Sequence, residues 1–193
     1  MAKKLWLLKM NNCFYFYKKF SLMKKNLLLI ILALTTQLTF SQTNTAASDT
    51  FAYTRDAMPA FTVYKAPDST AFTQKNVAKK RAILLMLFSP ECGHCQHVAK
   101  EILQHLDADK KTRAKILMFT WLPYNTLVSF NADYKISHYP QITLGWDSKF
   151  FFVPYYHVTT FPKLIVYDKN GKFVKAFEGN IQMEDVWKAL AKK

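Results

Sequence analysis

The chain has 193 residues, 27 Lys plus Arg against 13 Asp plus Glu, and a formal net charge of +14. Four glycines, seven prolines and 16% aromatic residues exclude a collagenous, linker-like or disordered chain, and three cysteines are too few for a disulfide scaffold. Residues 1–41 hold seven lysines and no acid, so the remaining 152 residues carry 20 bases against 13 acids, a net +7 distributed along the chain, and no nucleic-acid partner is expected.

In chain order, the first element is a leader. From Met23 the sequence reads MKKNLLLIILALTTQLTFSQ, with a basic start, an apolar run from Leu27 to Leu34, and small residues Thr39 and Ser41 placed for a cut before Gln42. This is the form of a secretory signal peptide, and the uninterrupted run is short of the ~20 residues a bilayer-spanning helix needs. Met23 is read as the true start, residues 1–41 as leader and residues 42–56 as a Thr-, Ala- and Ser-rich tether. The protein is expected to be exported and periplasmic, with membrane attachment only if the signal segment is kept as an anchor. Its removal takes Cys13 with it and leaves Cys92 and Cys95, for which an oxidising compartment permits a disulfide.

The domain is expected over residues 57–193. Met58 to Tyr64 alternates and reads as a short edge strand, followed by a turn at Pro67-Asp68. Ala82 to Phe88 is a continuous apolar run whose periodicity alone fits strand or helix. The next segment decides, since Val98, Ile102 and Leu106, with Leu103 beside them, fall on one helical face. The unit is strand, Cys-Gly-His-Cys, helix. Ile116 to Trp121 reads as a second buried strand, Leu127 to Ile136 as a helix, and His138 to Phe152 is aromatic and ambiguous. Lys163 to Tyr167 and Phe173 to Phe177 flank the turn Asp168-Lys169-Asn170-Gly171 and form a hairpin. Met183 to Ala191 closes the chain as an amphipathic helix burying Val186, Trp187 and Leu190. A mixed central sheet with helices on both faces, an α/β class, follows from this order.

The chemistry centres on Cys92-Gly93-His94-Cys95. Cys92 at a helix N-terminus meets unpaired N–H groups and the positive end of the dipole, which favour thiolate over thiol. His94, when protonated, adds a second stabilising charge, and Cys95, one turn in, is placed to attack a mixed disulfide on Cys92. Three other readings compete. An inert disulfide here closes too short a loop to stabilise much. Zinc would need a tetrahedron from Cys92, His94, Cys95 and His97, packed into six residues. A c-type haem needs His after the second cysteine, where Gln96 stands. Trp121, Trp146, Tyr155 and Tyr156 are groove candidates or core.

The stretch MLFSPECGHC resembles the active-site segment of protein disulfide isomerase domains in the thioredoxin superfamily, and the chain plan is similar to exported TlpA/ResA-like thiol-disulfide oxidoreductases. Thr160-Phe161-Pro162 before KLIVY resembles that family's cis-proline loop. The resemblance implies a thioredoxin-like fold, a cis Pro162, substrate docking by Thr160, Phe161 and Pro162, catalysis by Cys92 and Cys95, tuning by Gly93, His94 and Glu91, and no cofactor or metal beyond the redox-active Cys92-Cys95 disulfide. Partners would be protein thiols or disulfides and a redox partner protein. The 66 residues between Cys95 and Pro162 fit the TlpA-like plan, with an inserted strand and helix. Two departures stand out. Met86 occupies the position of the acid that relays protons to the buried cysteine in many relatives, and Glu91 stands where Trp is usual, so redox poise stays open. A non-catalytic binding module of the same fold is the alternative.

Overall fold

The computed structural model describes residues 57–109 and 111–191; the leader, the Met23 start and the tether lie outside them. Seven strands form one sheet: β1 (Thr62–Lys65), β2 (Ala71–Thr73), β3 (Ile83–Leu87), β4 (Lys115–Thr120), β5 (Ile142–Trp146), β6 (Lys163–Tyr167) and β7 (Phe173–Phe177). The helices are α1 (Gly93–Ala108), α2 (Tyr124–Tyr134), the single turn α3 (Phe152–Tyr155) and α4 (Met183–Leu190). The sheet order is β2-β1-β5-β4-β3-β6-β7. β3, β4 and β5 are parallel, while β6, β7, β1 and β2 join antiparallel. β3 is buried along its whole length, as a central strand covered on both faces must be, which is why its sequence is an unbroken apolar run.

The alternation of β3 divides the core. Leu84 and Met86 face a cluster with Val98, Ile102 and Leu106 of α1, Leu127 and Phe130 of α2 and Val186 of α4. Leu85 and Leu87 face Phe61, Phe119, Phe152 and Tyr156. Helices therefore cover both faces, but unevenly: the three longer ones lie on the first face, and the turn α3 with the segment before β1 covers the second. Ile102 is fully buried, so its truncation to Ala would cost about 2–5 kcal/mol.

Several expected elements shift. The strand expected over Met58 to Tyr64 forms only as Thr62–Lys65 and is not the edge, because β2 pairs outside it. The ambiguous stretch contains β5, which pairs with β4 and β1. Gly145 is required there: a Cβ would lie 2.8 Å from both the Phe119 ring and Val63. Asp147 Oδ2 then accepts the Phe152 N–H at 2.9 Å, opening α3, and the Tyr156 and Tyr167 hydroxyls meet at 2.6 Å in the interior. In α4 the buried residues are Met183, Val186 and Ala189. Trp187 is half-buried and stacks on His105 with ring centroids 3.8 Å apart, and Leu190 is likewise half-buried.

Candidate active site

β3 delivers the chain to Ser89 and Pro90, and Cys92 becomes the N-cap of α1, extended at φ −81°, ψ 118° with no side-chain cap. The Cys92 N–H donates to Ser89 C=O at 3.1 Å, its own C=O accepts from Gln96 N–H at 2.9 Å, and Gln96 Nε2 donates to Pro90 C=O at 2.9 Å. These bonds fix the approach to the helix and leave its first N–H groups turned toward the sulfur. Cys92 is half-buried and Cys95 fully buried, both as thiols.

The two sulfurs are displaced in opposite directions. Burial raises the Cys92 thiol, but the Cys95 backbone, the Cys95 thiol and the His94 backbone together outweigh it, and Cys92 ends below the ordinary thiol value. Burial is also the main effect on Cys95, opposed by the Ser89 backbone and reinforced by hydrogen bonding to Cys92 and by its charge, and Cys95 is pushed up to about 12. The coherent state is a Cys92 thiolate accepting from a Cys95 thiol. Met86 is fully buried in the same cluster as Cys95, so the layer beneath Cys95 offers thioether and hydrocarbon where an acid would relay protons.

The other tuning candidates sit at the rim. His94 reaches Cys92 through its backbone and its side chain is exposed, as is Glu91. Gly93 is open, with nothing within 4 Å of an added Cβ, which leaves room beside Cys92. His97 is exposed and pairs at 3.7 Å with Glu101.

The second half of the site comes from β6. The register Leu87↔Lys163 places Pro162 opposite Phe88, at the end of the sheet that carries Cys92. The Phe161-Pro162 peptide is cis, in agreement with the resemblance. Phe161 packs against both core clusters, and its ring lies 4.6 Å from that of Trp121, which meets exposed Phe150 at 5.8 Å. Of the four aromatic groove candidates only Trp121 joins this strip. Trp146 packs on Tyr64 and Tyr124, Tyr155 on Phe151, and Tyr156 is core.

Sequence reading missed one group here. Glu178, just past β7, accepts from Thr159 N–H at 2.7 Å, Thr159 Oγ1 at 2.9 Å and Thr160 N–H at 2.6 Å, all through Oε1. Its Oε2 lies 2.9 Å from Lys163 Nζ, with side chains only 18% and 7% exposed, and Lys163 also donates to His157 C=O at 3.3 Å. Burial raises the Glu178 carboxyl, but Lys163 and the Thr159–Thr160 donors hold it down at about 2. The Thr160 N–H is thus occupied, and among the described residues the Phe161 N–H and C=O have no hydrogen-bond partner. Phe161 carries the open backbone groups of the loop and Thr160 supports them. The sequence carried no signal for it, because a Lys opening a strand and a Glu just past one are ordinarily solvated.

Comparison with known proteins agrees with the fold. Residues 69–193 match the profile of the thioredoxin-like domain. A search of curated proteins finds no significant match. Among solved structures, a secreted disulfide oxidoreductase of Mycobacterium tuberculosis, homologous to Escherichia coli DsbE, superposes with TM-score 0.56 at 16% identity over 68% of this chain and 94% of its own. A protein of Chlorobium tepidum assigned as thiol:disulfide interchange protein DsbE gives 0.54 at 17% identity, over 70% and 96%. The exposed lipoprotein thioredoxin of Streptococcus pneumoniae gives 0.53 at 17% identity, over 68% and 98%. At these identities the likeness is one of fold.

Proposed function

Because the chain belongs to the thioredoxin-like domain family, we propose that it is an exported thiol-disulfide oxidoreductase of the TlpA/ResA-like kind, acting on protein thiols or disulfides through Cys92 and Cys95. The observation that carries this reading is the opposite displacement of the two thiols, one below its ordinary value and one raised to about 12, at the end of the sheet where Phe161 leaves its backbone groups unpaired. In the reducing direction Cys92 thiolate attacks a substrate disulfide, forming Cys92–S–S–substrate and releasing the other substrate sulfur as thiolate. Cys95 then loses its proton to that thiolate or to water and attacks Cys92 Sγ. The second substrate thiolate leaves, and the two electrons of the Cys92–Cys95 pair end on the substrate. Restoring the pair requires a redox partner protein, and no cofactor or metal is invoked. Extended substrate backbone would pair with Phe161, with Glu178 and Lys163 holding the loop and His94, Gly93 and Glu91 shaping the rim.

Export rests on the signal-like sequence of residues 23–42. Among the described residues no helix is long and apolar enough to cross a membrane. The test is trapping: Cys95→Ala should accumulate mixed disulfides with exported proteins, and Cys92→Ser should lose insulin reduction. A Cys92→Ser protein with full activity overturns the mechanism, and an absence of trapped species with Cys95→Ala indicates a binding module. The reduction potential of the pair then assigns direction, near thioredoxin's ~−270 mV for a reductase or near the ~−180 to −120 mV of isomerases and oxidants.

A further inference from the structure

Charge that is scattered along the sequence is gathered by the fold. Lys79, Lys80 and Arg81 precede β3, and Lys111 and Arg113 precede β4. These two strands are parallel, so both groups stand at the end of the sheet opposite Cys92. β6 runs antiparallel to β3, with Ile83 opposite Tyr167, which brings Lys169 and Lys172 of the β6–β7 turn to the same end. Arg81 joins the parts: it lines one surface recess with Lys75, Lys80 and Lys169 and another with Lys111 and Arg113. Lys75, Lys79, Lys80, Arg81, Lys111 and Arg113 have no ion pair among the described residues. Of the acids at this end, Asp107 accepts from the Tyr139 hydroxyl, and Asp109 and Asp168 accept bonds within their own turns, with Lys111 and Lys172 the cations that act on them. Elsewhere Lys65, Lys163 and Lys188 are each paired with a carboxylate. Lys115, at the start of β4, is lowered to about 8, mainly by burial, with Arg81 and Lys65 adding to it.

The described chain also begins here. Ala57 bridges to Lys172, and Ala57 and Met58 line the recess that holds Lys79 to Arg81. In sequence, the apolar run Leu27 to Leu34 lies upstream, separated from Ala57 by residues that include the 42–56 tether, whose full extension reaches at most about 50 Å. From these observations we infer that the end of the sheet opposite Cys92 is a docking surface for a bilayer carrying anionic phospholipid. Acidic headgroups complement an unpaired cationic face. Any membrane-attached stage of the chain joins the domain at that face, and β3 then separates bilayer from thiols by about 13 Å along its own length. A nucleic acid would find the same charge but has no reason to meet it beside the point where the leader enters.

The test uses the chain from Gln42, which retains both core clusters, since they close between Met58 and Ala189. At low ionic strength it should co-sediment with phosphatidylcholine vesicles containing phosphatidylglycerol and not with pure phosphatidylcholine vesicles. Each cation removed should lower partitioning about fivefold, so Lys79→Glu/Lys80→Glu/Arg113→Glu should lower it at least 100-fold, whereas Lys149→Glu, beyond the Cys92-side end of β5, should match the wild type. If the triple variant fails to fold, Lys79→Gln/Lys80→Gln and release of the wild type by salt give the same readout. Equal binding to both vesicle types, retained binding by the charge-reversed protein, or duplex DNA displacing the protein from phosphatidylglycerol vesicles would each overturn the inference.

Discussion

Replacing Glu178 by Gln isolates the charge that holds the Thr159–Thr160 loop. The amide keeps an oxygen for the three loop donors and loses the ionic contact to Lys163. A carboxyl held at about 2 against its ordinary 4.5 corresponds to at most about 3.4 kcal/mol at about 1.36 kcal/mol per unit, and the residual exposure of the pair brings the expected loss to about 2 kcal/mol at neutral pH. Because the folded value is depressed, the unfolded chain binds more protons between pH 2 and 4.5, so this stabilisation is complete above 4.5 and fades as the pH falls toward 2. Protonated Glu is nearly isosteric with Gln. Urea denaturation of the two proteins should therefore differ by about 2 kcal/mol at pH 7, by roughly half of that near pH 3, and by almost nothing at pH 2. In insulin reduction the variant should raise KM with little change in kcat, since the loop positions substrate and the thiols are untouched. A stability difference independent of pH, or an unchanged KM, refutes the reasoning.

Lys163→Met alone should cost about 3–5 kcal/mol by stranding a buried carboxylate, while Lys163→Met with Glu178→Gln, which removes the charge and keeps the acceptor oxygen for the loop donors, should recover most of the loss, as read by the same denaturation. Iodoacetamide should modify Cys92 of the reduced protein with a midpoint below that of an ordinary thiol and leave Cys95 intact at pH 10, because Cys95 is raised to about 12; equal rates for the two at pH 8 contradict the assignment. Gly145→Ala should destabilise by about 1–3 kcal/mol through overpacking against Phe119 and Val63, whereas Gly93→Ala should leave stability unchanged, and thermal melts compare the two directly.

What could be read from sequence follows from how local each signal was. The β3–Cys92–α1 unit combines an uninterrupted apolar run with a 3.6-residue period, and Gly171, at φ 77°, sits in a turn whose chemistry is confined to four residues. β5 escaped because Gly145 and Thr143 break its apolar character, and its burial depends on β1 and β4, which are distant in sequence. β2, three residues long, carries too little pattern to register. Glu178 and Lys163 look like ordinary solvated charges until the β6–β7 pairing turns them toward each other. The cationic end was invisible for a similar reason, since Arg81 and Lys111 lie 30 residues apart, Arg113 and Lys169 lie 56 apart, and the segments meet only through strand order.

The pairing of β3 with β6 has a temporal side. Cys92 and Cys95 leave the synthesis machinery well before the hairpin that brings Phe161 and Pro162, with 66 residues between Cys95 and Pro162. At 5–20 residues per second that interval is roughly 3–13 seconds. Through it the nascent chain presents two cysteines without β6 to complete the sheet beside them, and in an oxidising compartment they are open to any disulfide they meet. Under the proposed export, such a chain gains from being threaded quickly, or from a holding factor that covers the cysteine segment until β6 has docked.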